Sequence, residues 1–224
     1  AELPDLAFDE ETGLLVAPGH RLKSSHRHFS HLMAIHPLGS IDQNQGNHAR
    51  EIVAASIRHL EELGSDWWTG YSFSWYANLL AWAGEGAKAE KALETFSTAF
   101  TLRNSFHCNG DQSGLGYSRY TYRPFTLEGN FAAAAGIQEM LLQSHRGSVE
   151  VFPAVPESWK EASFTTLRSQ GAFLISSHLS GGKIKLVKVF SERGRTLRIV
   201  SPYTGEELVI ETEPGQTIVL TAEG

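Results

Sequence analysis

The sequence predicts a mixed fold, in which an all-α portion over residues 1–146 is followed by a small antiparallel β-sandwich over residues 147–224. Before Gly147 the apolar residues recur at three- and four-residue steps, which is the period of an α-helix. After it they alternate every second residue, and Gly, Ser and Pro clusters separate the short runs, as between paired strands. The chain is long enough for both parts to bury a core.

Four helices are predicted in the first part. The first of them is the clearest, because Ile52, Ser56 and Leu60 share one face and Gly64 ends the run. The predicted helices cover residues 47–63 and about residues 72–83, 87–100 and 131–143. Two long connections, one before the first helix and one between the third and the fourth, are dense in His, Arg, Tyr and Trp, and long ordered loops on a helical scaffold usually carry function. These connections span residues 14–46 and 101–130.

Seven short strands are predicted in the second part. Turn residues punctuate them, for example at Ser180-Gly181-Gly182 and Glu213-Pro214-Gly215. A series of short alternating segments with such turns is typical of a small sandwich. The predicted strands cover residues 148–153, 164–170, 172–179, 183–190, 197–201, 207–212 and 216–221.

Composition and charge exclude several classes of function. The net charge is −6 and the basic residues are scattered, so no nucleic-acid surface is expected. No stretch of 18 apolar residues is present, so no membrane partner is expected. Cys108 is the sole cysteine, which rules out an intrachain disulfide.

The segment 25–31, SHRHFSH, holds three histidines. Their spacing lacks the i, i+4 pair that places two metal ligands on one helix face, so we expect no metal site, although zinc binding is an alternative. A second alternative is a polar loop whose histidines satisfy backbone groups. The third is sugar binding, in which Arg27 and His28 exchange hydrogen bonds with vicinal hydroxyls.

An aromatic cluster follows the first predicted helix. It contains Trp67, Trp68, Tyr71 and Trp75. Such clusters usually belong to a core, but this one precedes a helix instead of lying within it. That placement favours a rim at which rings stack on the apolar face of a sugar.

Glu128 precedes the fourth predicted helix, at or near its N-cap. A carboxylate there is stabilised by the helix dipole and could activate a water molecule. Gly129 would allow a close backbone approach, and Asn130 could orient the carboxylate or the water. The alternative is an ordinary acidic helix start.

Four segments in order resemble motifs of the α-L-fucosidases of glycoside hydrolase family 95. Residues 26–32 read HRHFSHL, residues 69–75 read TGYSFSW, residues 128–131 read EGNF, and residues 151–156 read VFPAVP. The resemblance implies that residues 1–146 are the C-terminal half of an (α/α)6 catalytic barrel. It also implies that residues 147–224 are the C-terminal β-sandwich.

The resemblance further implies inverting hydrolysis of terminal α-L-fucosides, or related α-L-galactosides, on oligosaccharides. Glu128, helped by Asn130, falls on the position of the base, while Arg27 and His28 fall on sugar-binding positions. The family pattern has aspartate at the position of Glu128, and the extra methylene moves the carboxylate by about 1 Å. No cofactor is implied, because two carboxylates and a water molecule suffice.

The general acid finds no counterpart in this sequence, so the expected partner is the N-terminal part of the same enzyme. Secretion or a periplasmic location is also an expectation from the resemblance. Two alternatives remain open: a non-catalytic carbohydrate-binding fragment that lacks the general acid, and a phosphorylase or another hydrolase on a similar barrel.

Overall fold

The computed structural model describes residues 5–222, which form four α-helices and several small antiparallel sheets. The chain divides into two compact units, Ala1–Gly136 and Ile137–Gly224. The domain boundary predicted after residue 146 lies later in the chain than this division. The outer ends of the two predicted domains, residues 1–4 and 223–224, lie outside the described residues.

The helices lie close to their predicted positions. They are α1 (Asn47–Leu63), α2 (Gly70–Trp82), α3 (Gly86–Ala99) and α4 (Leu127–Leu141). The bounds of α1 are those predicted, whereas α4 begins at Leu127 instead of near Phe131. Its first turn therefore contains Gly and Asn. Because both are weak helix formers, the apolar spacing did not reveal that the helix begins before Phe131.

The segment before α1 contains short elements that the sequence did not reveal. Strands β1 (Phe8–Asp9) and β2 (Gly13–Leu14) pair antiparallel, and a 3₁₀-helix spans Ser30–Ala34. Gly13 has φ of 70°, and a Cβ there would lie 2.5 Å from the backbone nitrogen of Ser56. The Leu14 N–H donates a hydrogen bond to Ser56 Oγ at 2.9 Å, which fixes β2 against α1.

The core of the first unit surrounds α2. Phe29, Leu79, Leu80 and Phe100 are fully buried, and the rings of Phe73 and Phe100 pack with centroids 5.0 Å apart. Burial of each such side chain contributes about 1.5–3 kcal/mol. The helix α2 is buried along almost its whole length. This burial fixes its backbone, and therefore also fixes the positions from which its side chains extend.

The second unit is built from antiparallel strands. Its main sheet has the order β10-β7-β6-β5, and two-stranded sheets join β3 to β4 and β8 to β9. The fully buried Ile175, Val187, Val189, Leu197 and Ile199 share one core, so strands of the main sheet and of β8 pack together. The strand bounds are β3 (Leu142–Gln143), β4 (Glu150–Val151), β5 (Glu161–Ser169), β6 (Phe173–Ser180), β7 (Lys183–Ser191), β8 (Leu197–Val200), β9 (Glu207–Ile210) and β10 (Thr217–Leu220).

Six of the seven predicted strands correspond to strands of similar extent, and the first does not. Of the strand predicted over residues 148–153, only Glu150–Val151 is a strand in the structure. Phe152 has φ of 54°, which is outside the extended region and ends the strand. Over residues 5–222, no helix is long and apolar enough to cross a membrane.

Candidate active site

A cavity of about 540 Å³ lies in the first unit beside α2, the middle of α4 and the segment 28–37. From α2 it is lined by Tyr71, Trp75 and Asn78, which share one helix face because they are four and three residues apart. From α4 it is lined by Ala132 and Ala135, whose small side chains leave the space open. This volume is within the range of small-molecule sites.

Glu128 lies on the cavity-lining face of α4. It is the second residue of the helix and precedes Ala132 by four residues and Ala135 by seven, so the three share a face. The pKa of the Tyr71 hydroxyl is raised, mainly by burial and further by the negative charge of Glu128. The carboxylate lies in the first turn of α4, where the helix dipole stabilises an anion.

Arg27 and His28 are placed by the start of α2. Ser72 Oγ donates to the Arg27 carbonyl at 2.8 Å, and Arg27 Nε donates to His28 Nε2 at 3.1 Å. Burial lowers the pKa of His28, and the charges of Arg27 and His26 lower it further. Because Arg27 donates to Nε2, the ring that lines the cavity accepts at Nε2 and carries its proton on Nδ1.

Phe29 and Trp75 hold the segment 28–36 against α2. The fully buried Phe29 ring stacks on Trp75 with centroids 4.5 Å apart. Trp75 Nε1 donates to the His36 carbonyl at 3.1 Å. One tryptophan thus fixes both ends of the segment that contributes His28 to the cavity.

The four aromatic residues singled out in the sequence have different surroundings. Tyr71 and Trp75 line the cavity, and Trp67 is 43% exposed on the surface. Trp68 differs from the prediction, because it is only 3% exposed and its ring packs against Phe29 and Phe73. It has no free face on which a sugar could stack and is a core residue.

Asn130 uses both ends of its amide to hold the loop before α4. Its Nδ2 donates to the Ser105 carbonyl at 2.8 Å, and its Oδ1 accepts the His107 N–H at 2.8 Å. These bonds fasten the loop to the first turn of the helix. Its role as a helper of Glu128 stays a prediction.

His107 is a structural residue that the sequence did not single out. The ring is fully buried, and its Nδ1–H donates to the Thr126 carbonyl at 2.7 Å, next to the start of α4. Two glycines make room for it: a Cβ at Gly70 would lie 2.4 Å from Nε2, and one at Gly129 would lie 2.5 Å from Nδ1. His107 therefore sets the spacing between the first turns of α2 and α4, which carry Tyr71 and Glu128.

The three histidines of the segment 25–31 do not gather around one point. His26 Nδ1 accepts the backbone N–H of His28 at 3.0 Å, as the backbone-satisfying alternative supposed. His31 is partly buried and interacts electrostatically with His59. Among residues 5–222, no group of three or more His, Cys, Asp or Glu side chains is placed to hold a metal ion.

We expect His31 to make the stability of the protein depend on pH. Burial, and then the charge of His59, lowers the pKa of His31 to about 4. Between that value and the ordinary pKa near 6.5, the unfolded chain binds a proton at His31 that the folded chain does not. The free energy of unfolding therefore decreases as the pH falls from 6.5 towards 4.

The measurement is a pH series of urea-unfolding midpoints for the wild type and His31→Gln. The variant removes the titrating group, so its midpoint should fall less steeply over this window. Equal slopes for the two proteins would contradict the assignment.

Two family profiles match nearly the whole chain. The one described as "Glycosyl hydrolase family 95 catalytic domain" matches residues 16–141, and the one described as "Glycoside hydrolase family 95, C-terminal domain" matches residues 143–222. A curated relative, alpha-L-fucosidase 2 of Arabidopsis thaliana, is 28% identical over 193 residues. That alignment covers 85% of this chain and 22% of the relative, so the chain spans under a quarter of the relative's length.

Among solved structures, a human-microbiome protein that bears the name kojibiose phosphorylase aligns with a TM-score of 0.45 and 11% identity. The alignment covers 80% of this chain and 23% of that one.

Proposed function

Because this chain belongs to glycoside hydrolase family 95, we propose that its protein is an inverting exo-glycosidase that removes terminal α-L-fucose from oligosaccharides. The name of the Arabidopsis relative supports the choice of sugar. In the same proposal, α1–α4 belong to an (α/α)6 barrel and the strands after residue 141 to a β-sandwich. A location outside the cytoplasm also stays a prediction.

The observation that carries the proposal is the cavity between a face of α2 and a face of α4. Tyr71 and Trp75 supply aromatic surface, and His28 supplies a neutral donor. Glu128 is on the face of α4 that lines the same cavity. Apolar walls with a few converging polar groups are what a sugar site needs.

In the proposed mechanism, Glu128 accepts a proton from the water molecule that attacks the anomeric carbon. The leaving oxygen is protonated on the opposite face by a general acid from another part of the enzyme. His28 donates to a sugar hydroxyl through Nδ1–H, and Arg27 keeps the ring in this tautomer because it donates to Nε2. The Tyr71 hydroxyl stays protonated, since burial and Glu128 raise its pKa, and it can donate to the water or to the sugar.

The test is a panel of α-L-fucosides and α-L-galactosides on the full-length natural protein, with the first-formed anomer followed by proton NMR. We expect hydrolysis of α-L-fucosides with the β-anomer of fucose appearing first. Initial release of the α-anomer would contradict inversion, and a requirement for phosphate would indicate a phosphorylase. Preferred cleavage of α-L-galactosides would show that the terminal sugar is α-L-galactose. Binding of a sugar without hydrolysis would show that the protein is a carbohydrate-binding protein and not an enzyme.

A further inference from the structure

A second cavity, of about 430 Å³, lies in the first unit between α1, the end of α2 and the start of α3. It shares no lining residue with the candidate active site, so the proposed function gives it no role. We call it the arginine cavity, and its lining includes Arg50, Val53, Ala54, Ile57, Arg58 and Lys88.

The floor of the arginine cavity is apolar. Val53 and Ile57 line it and are buried. Ala54 also lines it and is exposed, and its single methyl group leaves an open space above the backbone of α1. Apolar surface of this kind favours a ligand with a hydrocarbon body over a bare inorganic ion.

Two arginines of α1 supply positive charge at the rim of the arginine cavity. Arg50 and Arg58 are eight residues apart, and Ala54 lies midway between them on the same helix face. Both side chains are exposed, and within residues 5–222 neither guanidinium group has an ion-pair or hydrogen-bond partner. Each therefore keeps its N–H donors for a carboxylate, which matches the fork of a guanidinium group.

The acidic side chains of the rim do not compensate these two arginines. Glu61 accepts hydrogen bonds from Lys88 Nζ at 3.0 Å and from the Tyr76 hydroxyl, so its charge is already paired. Glu85 is the other carboxylate of the lining. The lining thus holds three positive and two negative side chains, in a chain whose net charge is −6. A net positive cavity attracts an anion.

The walls of the arginine cavity are fixed without a ligand. The carboxylate of Glu61 on α1 bonds to Tyr76 on α2 and to Lys88 on α3, so it joins the three helices that border the cavity. Gln43 Nε2 donates to the Trp82 carbonyl at 3.1 Å and holds the segment before α1 against the end of α2. Because these bonds form in advance, binding loses little conformational entropy of the protein.

We propose that the arginine cavity binds a small organic carboxylate. The carboxylate lies above Ala54 and accepts hydrogen bonds from Arg50 and Arg58, while the hydrocarbon body covers Val53 and Ile57. Both arginines can reach this position, because eight residues span about 12 Å of helix and an extended arginine covers more than half of that distance. The proposal does not depend on the proposed function.

The test is calorimetric titration of the full-length protein with benzoate, and with benzamide as a neutral ligand of similar shape. We expect benzoate to bind more tightly than benzamide, and its Kd to increase with sodium chloride, which screens exposed charges. In the double variant Arg50→Gln, Arg58→Gln, the Kd for benzoate should increase about tenfold, since each exposed ion pair contributes a factor of up to about five. The matched control is Arg103→Gln, an exposed arginine outside the cavity, which should leave the Kd unchanged.

A further variant tests the apolar floor. Ala54→Leu fills the space above α1, and the fold should be retained because the position is exposed and leucine is a good helix former. We expect it to lose benzoate binding, and unchanged binding would place the ligand elsewhere and refute the site. Equal affinities for benzoate and benzamide, a Kd unaffected by the double variant, or no benzoate binding by the wild type would each overturn the proposal. None of these results depends on whether the protein hydrolyses fucosides.

Discussion

Replacing Glu128 with glutamine is expected to lower kcat for glycoside hydrolysis by about 10²–10⁴-fold, the usual contribution of a general base. The amide keeps the size of the side chain but cannot accept a proton from the attacking water. Because Glu128 is exposed in the first turn of α4, the substitution should leave the fold intact. KM should change little, since His28 and the aromatic walls of the cavity are untouched.

Two further measurements make this prediction specific. Glu128→Asp keeps the charge but withdraws the carboxylate by about 1 Å, so its kcat should lie between those of the wild type and Glu128→Gln. The charge of Glu128 contributes to the raised pKa of Tyr71, so the Tyr71 pKa should decrease in Glu128→Gln, as ultraviolet titration would detect. A fully active Glu128→Gln variant would refute the assignment of the base, and an unchanged Tyr71 pKa would refute its placement.

Most of the secondary structure could be predicted because one periodicity governs each part of the chain. The bounds of α1 follow from its apolar spacing and from Gly64 at its end. The family resemblance noticed in four short motifs is confirmed by profile matches over residues 16–141 and 143–222. The order and spacing of the four motifs identified the family, although each motif alone has low specificity.

The site could be predicted only in part, because residue type does not show which way a side chain points. Tyr71 and Trp75 were assigned to the same cluster as Trp68, but only the first two are on the cavity face of α2. Trp68 precedes the helix, and its ring turns into the core. The spacing of Tyr71, Trp75 and Asn78 would have predicted the cavity-lining face once the start of α2 was known.

The hydrogen bonds of Asn130 and the packing of His107 could not be predicted, because each depends on a contact between distant segments. Asn130 suggested catalysis because amides often orient water, yet its bonds fasten the loop at 105–107. His107 lies in a loop and shows no periodic pattern. Gly70 and Gly129 become meaningful only when both are seen to touch its ring.

Gly129→Ala is expected to destabilise the protein by about 2 kcal/mol. The added Cβ would lie 2.5 Å from His107 Nδ1, and overpacking of this kind costs about 1–3 kcal/mol, against a gain in helix propensity of up to about 1 kcal/mol. The ring cannot move aside, because it is fully buried and Gly70 touches its other edge. The first turn of α4 must shift, so hydrolysis should also decrease as Glu128 moves.

Gly136→Ala is the matched control on the same helix. Its Cβ would meet Asn78 Nδ2 at 3.3 Å and Leu93 Cδ2 at 3.4 Å, contacts that small movements can relieve. We expect a near-neutral effect there and a clear decrease in the urea-unfolding midpoint for Gly129→Ala. In a His107→Ala background, Gly129→Ala should cost much less, because the methyl group then enters the space of the missing ring. An equal cost in both backgrounds would mean that the imidazole does not set the position of the helix start, and Glu128 would owe its placement to other contacts.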